Sequence, residues 1–289
     1  METGRPWEYL FLDFPFQKLS IFPYRRPMMN KLITKIGDHY IHIICESKEL
    51  NNMFEKNFHS DICAENELPD LIIKIEEGYG VPFQDYEVEI IKNESQIQYR
   101  RADYLIEVNT EFRSATISVY NDFALKHALT NLYSAFIVYH NWGLLIHSSC
   151  AIENGKAHIF AGQSGAGKST AAKLSYPRPL LSDEATLVKI TSNNVTVFNS
   201  PFRSELQADH FEGNVELASV QLLYQALQNQ RTRSAKSDAL LHLMDKVFFW
   251  PHSDEETKTI MRLMTNLVKN VPVYELHFQK NNTFWELIS

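Results

Sequence analysis

"HIFAGQSGAGKSTAAKLS", residues 158–175, is the stretch on which the reading of this chain turns. It opens as a short apolar strand, passes through a glycine-rich loop and continues as a small-residue helix. Gly162, Gly167, Lys168 and Ser169 occupy the fixed places of G-x-x-x-x-G-K-[ST]. In such a loop successive backbone N–H groups converge on phosphate oxygens, and the helix that follows adds its positive end. The lysine brings a point charge to the β and γ phosphates, and the hydroxyl suits Mg²⁺. The expected nucleotide contacts are therefore Gly162, Gln163, Ser164, Gly165, Ala166, Gly167, Lys168, Ser169 and Thr170. A chance match in a chain of this length is on the order of 1% at average glycine usage.

Working outward, both flanks read as hairpins. Asn154-Gly155 is a two-residue turn signal of type I′. Glu153 then faces Lys156, and antiparallel pairing carried back along both strands sets His147 opposite Gly162, at the mouth of the loop. A lone strand histidine is ordinarily a satisfied structural group, so this register is what gives His147 a functional reading. After the loop helix, "LLSDEATLVKITSNNVTVFNSPFRSEL" reads as two strands turned at Asn193-Asn194. Ser192 then faces Val195, which puts Asp183 opposite Ser204, Glu184 opposite Arg203 and Ser182 opposite Glu205. Pro201 lacks the N–H a ladder needs and ends the pairing early. Acids and an arginine are thereby expected at one end of this hairpin, where an ordinary solvated turn would also place them.

Further out, residues 38–120 alternate as short strands: "YIHIICES", "DLIIKIEE", "YEVEIIKNE", "YLIEVNTE" and "RSATISVYN". "NDFALKHALTNLYSAFIVYHNW" reads as a helix capped by Asn121 or Asp122. Beyond the second hairpin, helices are expected at about 216–230, 237–247 and 254–270, the last opened by a capping box at Ser253 to Glu256, and "VPVYELHF" as a closing strand. The division expected is a β-rich N-terminal domain over 1–140, which could recognise a peptide, and a glycine-loop kinase domain over 141–289.

Composition excludes several classes. At 44% hydrophobic and 22% charged the chain can bury an ordinary core, and its net charge of −7 implies no general attraction to nucleic acid. No apolar run reaches the roughly 18 residues a membrane span needs. The start lacks the basic-then-apolar order of a secretory signal. Cys45, Cys63 and Cys150 are widely spaced and form no C-x-x-C pair, which suggests neither a disulfide framework nor a zinc site. A cytoplasmic location follows as an expectation. Oligomeric state is not legible.

His147, then the loop from Gly162 to Ser169, then Asp183-Glu184, resembles the "H…GxSGxGKS…DD" pattern of the HPr kinase/phosphorylase family and, more distantly, of the ATP-dependent phosphoenolpyruvate carboxykinases. "LLIHSS", "SGAGKST", "LLSDE" and "PVYELHF" are more similar still to the HPr-kinase-like proteins encoded with lasso peptides. The resemblance covers roughly residues 143–205. It implies an α/β fold: a β-rich N-terminal region followed by a P-loop kinase domain of the HPr kinase/phosphoenolpyruvate carboxykinase type, with a mixed or antiparallel sheet and C-terminal helices. It implies that Asp183 is the base toward a serine hydroxyl, that His147 sits beside the transferred phosphate, and that Ser169, Glu184 and Glu205 hold the metal. The second acid is a glutamate where the family pattern has aspartate, and the N-terminal half does not match that of bacterial HPr kinases.

The expected activity is ATP- and Mg²⁺-dependent phosphorylation of a serine, with a lasso precursor peptide ending in serine as partner. Lys168 neutralises phosphate charge, and Arg203 balances developing charge or orients the acceptor. Arg231 and Arg233 suggest either a mobile lid or an exposed basic loop. The alternatives are an HPr-type protein kinase, a small-molecule kinase, and a nucleotide-binding regulator that transfers nothing.

Overall fold

The computed structural model describes residues 30–45, 67–204, 206 and 211–288. Strand outweighs helix among them, 41% to 25%. Seven strands make a first sheet: β1 (Asn30–Ile36), β2 (His39–Cys45), β3 (Leu71–Glu77), β4 (Glu89–Lys92), β5 (Gln96–Arg101), β6 (Tyr104–Asn109) and β7 (Ser114–Val119). They lie in the order β1-β2-β3-β7-β6-β5-β4, parallel at β2/β3 and β3/β7 and antiparallel elsewhere. Alternation along β6 and β7 turns Ile106, Val108, Ala115 and Ile117 inward.

Helix α1 (Asp122–Tyr139) follows, capped by the Asn121 side chain, which accepts from the Ala124 N–H. It is apolar on most of its circumference because it is covered on both sides. Leu125, Leu129, Leu132 and Phe136 share one core with the first sheet and with Leu145, Leu187, Phe198 and Phe202 of the segment beyond.

The second set of strands carries the glycine loop. β8 (Gly143–Glu153), β9 (Lys156–Ala161), β11 (Ala185–Ile190), β12 (Val195–Phe198) and β13 (Asn214–Gln225) close on themselves in the cyclic order β8-β11-β12-β13-β9. β10 (Leu180–Ser182) extends the ring from β8; β15 (Val273–Phe278) and then β14 (Gln230–Arg233) extend it from β13. Helices α2 (Lys168–Leu174), α3 (Lys236–Met244) and α4 (Asp254–Asn270) pack outside. Ser253 caps α4, and its stripe of Ile260, Leu263, Met264 and Leu267 seals the apolar ring.

This corrects the expected fold. The α/β layout of a P-loop kinase domain gives way to a closed five-stranded barrel with a mixed sheet attached. Two hairpins supply four of the barrel strands, and no crossover helix is needed to join such neighbours. The helix expected at 216–230 is strand β13 instead. Residues 219–223 are buried at every position, because there β13 lies between β9 and β15, parallel to both, and alternation is lost. Periodicity alone does not separate such a strand from a buried helix. The segment read as either a mobile lid or an exposed basic loop is strand β14. Arg231 lies in β14 with its guanidinium 3.6 Å from the Tyr274 ring and donates to Gln221 Oε1 and the Leu287 carbonyl.

Candidate phosphate-binding site

The β8–β9 hairpin forms as its turn residues require. Asn154 and Gly155 both take positive φ, 52° and 74°, and the pairs run from Glu153↔Lys156 to Ser148↔Ala161. His147 is the next residue out on β8 and Gly162 the next on β9. The β8 backbone turns to other partners there: His147 N–H donates to the Lys246 carbonyl at 2.6 Å. On its other edge β8 meets β11, with His147 across from Ala185.

The loop geometry depends on glycine at two positions. A Cβ on Gly162 would stand 2.7 Å from that of Ala166, and one on Gly167, at φ 108°, would stand 2.7 Å from the Phe278 ring. Lys168 opens α2 with its side chain turned back into the loop, donating to the carbonyls of Gly162 at 3.0 Å and Gln163 at 3.2 Å. Its own carbonyl accepts from Ser149 Oγ, which pins α2 to β8. Burial lowers the proton affinity of the Lys168 ammonium; nearby Glu184 opposes that and Lys246 adds to it. Ser169 is exposed at the end of the loop and Thr170 half-buried.

Residues 162–166 form one wall of a cavity of about 560 Å³. The end of β13, with Tyr224 and Gln225, and the end of α3, with Leu241, His242, Asp245 and Lys246, form the others. This volume lies within the range of small-molecule and cofactor sites. Gln225 Nε2 donates to the Gly165 carbonyl at 2.7 Å, tying β13 to the loop. β9 and β13 are parallel, so their carboxyl ends open at the same place, where ligands of such sheets bind.

His147 Nε2 lies 4.0 Å from Glu184 Oε1, both side chains about one-third exposed. Burial, reinforced by Lys168 and Lys246, lowers the His147 pKa to about 4. The imidazole is therefore neutral at pH 7, and the Glu184 contact is not an ion pair.

The second hairpin departs from its expected register. β11 and β12 pair as Ile190↔Val195 through Leu187↔Phe198, so the loop has four residues where two were expected. Thr191 closes it: its hydroxyl accepts from the Asn194 N–H and donates to the Asn194 carbonyl, both at 2.9 Å. Asp183 nevertheless meets Ser204, but through backbone contact. Its Oδ1 accepts from the Ser204 N–H at 3.1 Å and its Oδ2 from the Leu206 N–H at 2.9 Å. With a residue exposure of only 3%, Asp183 anchors the 204–206 segment.

Next to Glu184, Ala185 N–H donates to the Phe202 carbonyl at 3.3 Å, and the Arg203 side chain turns to other backbone. It donates to the carbonyls of Ser200 and Leu180 and to Asn199 Oδ1, bracing backbone below the site. Glu205, expected to hold metal, lies outside the described residues. Among the described residues no three His, Cys, Asp or Glu are grouped to bind an ion. Sequence reasoning missed Lys246, Asp245 and the α3 wall. The only cue was a charged pair at the end of an expected helix, and nothing local ties it to the loop.

The family model for SynChlorMet cassette protein ScmC matches residues 114–289, well over half the chain. The chain belongs to the ScmC family. The match begins at β7 and takes in α1, the whole barrel and the cavity, leaving out the strands before β7. No curated protein matches the chain. Among the described residues no helix is long and apolar enough to cross a membrane.

Proposed function

We propose that this ScmC-family protein transfers a phosphoryl group from Mg·ATP to a serine hydroxyl. The observation that carries the reading is a glycine loop that forms one wall of a nucleotide-sized cavity, with its lysine buried behind that wall on the Gly162 and Gln163 carbonyls and a neutral histidine and an accessible glutamate near the lysine. ATP supplies the group that moves, and Mg²⁺ screens its charge. The donor set fits them. The loop's glycines keep its inner surface free of side chains, Lys168 has three N–H donors now shared between two carbonyls, and the Ser169 hydroxyl is open to an ion.

The chain's own part is positioning and electrostatics. Lys168 exchanges its carbonyl partners for phosphate oxygens. The serine oxygen forms its new bond to phosphorus as the bond to the leaving oxygen breaks, and the hydroxyl proton passes to Glu184. The role of base thereby moves from Asp183 to Glu184. Both Asp183 oxygens already accept backbone N–H groups, whereas Glu184 is accessible and next to Lys168. His147, held neutral, accepts or donates one hydrogen bond at the acceptor without repelling Lys168.

The acceptor we propose is a serine near the end of a ribosomally made precursor peptide. That is the substrate class implied by the resemblance through "LLIHSS", "SGAGKST" and "LLSDE", and the word cassette in the family's description fits a partner encoded alongside. The protein would work in a reducing compartment, where Cys45 and Cys150 persist as buried thiols. The test is a mass-spectrometric time course with Mg·ATP and a serine-ended peptide, with ATP binding followed in parallel by calorimetry. An added phosphate on the serine supports the reading. Phosphate on a small alcohol alone replaces the substrate class, and binding without transfer replaces the kinase with a regulator.

A further inference from the structure

Lys246 is the buried cation that the glycine motif does not account for. It sits in the turn that ends α3, its N–H donating to the Leu243 carbonyl, where the chain begins to run along the edge of β8. His147 N–H donates to its carbonyl, Val247 bridges Ile146, and Phe248 N–H donates to the Leu145 carbonyl at 2.9 Å. This pairing leaves little freedom to residue 246 and delivers its side chain into the cavity opposite residues 162–166. The side chain is only 8% exposed and pairs with the adjacent Asp245, itself 59% exposed at the rim. Lys246 thus lines the α3 wall of the cavity, while Lys168 is buried behind the loop wall on the carbonyls of Gly162 and Gln163, with the carboxylates of Glu184 and Asp245 nearer to solvent.

We infer that Lys246 is a second phosphate-binding lysine, which leaves Asp245 and takes a phosphate oxygen when the cavity fills. The inference rests on the proposed function and adds to it that two walls, not one, grip the polyphosphate. The physical reason is charge. Two buried cations this near each other repel, and a polyanion that reaches both converts that repulsion into two charge-assisted contacts. The lowered proton affinities of Lys168 and His147, each partly caused by Lys246, agree with its nearness to both.

The test titrates inorganic pyrophosphate, ATP and adenosine into the full chain and its variants. Lys246→Met keeps the apolar stem and should weaken pyrophosphate and ATP binding roughly 10- to 100-fold while leaving adenosine unchanged. Lys246→Arg should restore most of the loss. Asp245→Asn, at an exposed rim position, should tighten pyrophosphate a few-fold by removing the competing carboxylate. A readout free of ligand comes from the His147 ring resonances, whose midpoint should rise from about 4 in Lys246→Met. Unchanged pyrophosphate affinity in Lys246→Met, or an unmoved His147 midpoint, overturns the assignment and leaves the proposed function standing. A wild-type chain that binds neither pyrophosphate nor ATP overturns both.

Discussion

Two hairpins flank the glycine loop, and they obey different rules. In β8–β9 the turn is made by backbone: Asn154 and Gly155 take positive φ, which few other residue pairs tolerate, so two residues fix every pair that follows. In β11–β12 a side chain reinforces the closure, beside a backbone bond from the Thr191 N–H to the Asn194 carbonyl at 2.9 Å. Thr191 spans a four-residue loop with both its hydroxyl bonds, and Asn193-Asn194 does not form the tight turn it resembles. The first hairpin keeps its expected register as far as Ser148 and Ala161, one residue short of His147 and Gly162. The second places its acids by backbone contacts beyond the ladder. A turn that needs unusual dihedrals can be read from two residues, whereas one closed by a common hydroxyl cannot.

The largest effect should come from the first hairpin's loop. Lys168→Met removes the cation from the glycine wall while its apolar stem still fills the space. Phosphoryl transfer should fall by roughly 10²–10³, the usual loss on deleting one preorganised donor. Phosphate release and peptide labelling measure it, with circular dichroism to verify the fold. A Lys168→Met enzyme working at the wild-type rate would remove the loop from the chemistry.

The second hairpin carries adjacent acids, and their variants should diverge. Glu184→Gln keeps shape but loses basicity, so transfer should drop by roughly 10²-fold with ATP affinity and unfolding midpoint nearly unchanged. Asp183→Asn replaces one acceptor oxygen by an NH₂ group facing a backbone N–H donor. Its main effect should be on stability, about 1–3 kcal/mol from a buried bond left unmade, read as a lower urea midpoint. If Asp183→Asn loses transfer while keeping its midpoint, and Glu184→Gln does not, the base is Asp183 after all.

The same contrast explains how far the sequence carries. Strands in the first sheet were legible from "DLIIKIEE" and "YLIEVNTE", where one face is buried and alternation survives. The boundaries of α1 and α4 were legible from the Asn121 and Ser253 caps. β13 was not, because a strand covered on both sides keeps no alternation. Barrel closure was not either, since it depends on β13 meeting β9 across more than fifty residues of chain. In the site, the expectation that His147 and Lys168 are neighbours rests on local geometry, the turn at Asn154-Gly155 and the loop spacing. The place of Lys246 does not, because only the tertiary pairing of residues 246–248 with β8 brings it there.

The two hairpins also differ in how they should respond to acid. His147 on β8 and His158 on β9 both have pKa values lowered to about 4, chiefly by burial, while β11 and β12 carry no histidine. His39 and His127 of the other half are lowered to about 4 in the same way. The unfolded chain takes up these protons first, near pH 6.5. The contribution is therefore fully present above pH 6.5 and is lost as pH falls toward 4. The urea midpoint should decline across that window. His158→Gln, which can still bond Ser219 Oγ (2.8 Å from His158 Nδ1), should flatten part of the decline. An unchanged slope in that variant would mean His158 is charged in the fold.

The smallest expected effect tests the comparison most directly. Replacing Thr191-Ser192-Asn193-Asn194 by Asn-Gly gives β11–β12 the kind of turn that β8–β9 has, directly between the observed pair Ile190 and Val195. Halving the loop gains about 0.6 kcal/mol of closure entropy. Against this, the variant loses the Thr191 hydroxyl bonds and the bond from Asn270 Nδ2 to the Ser192 carbonyl, all at exposed positions where water replaces them at little cost. The net change in stability should be within about 0.5 kcal/mol, the range of surface changes away from special features. Cross-strand NMR contacts between Val188 and Val197 should persist, because Leu187, Val188, Val197 and Phe198 are buried and a one-residue slip would turn each to the opposite face. A variant that keeps these contacts shows that the core sets this register and that Thr191 only closes the loop. A variant whose Val188 pairs elsewhere shows that the turn sets the register in both hairpins, and the distinction drawn between them fails.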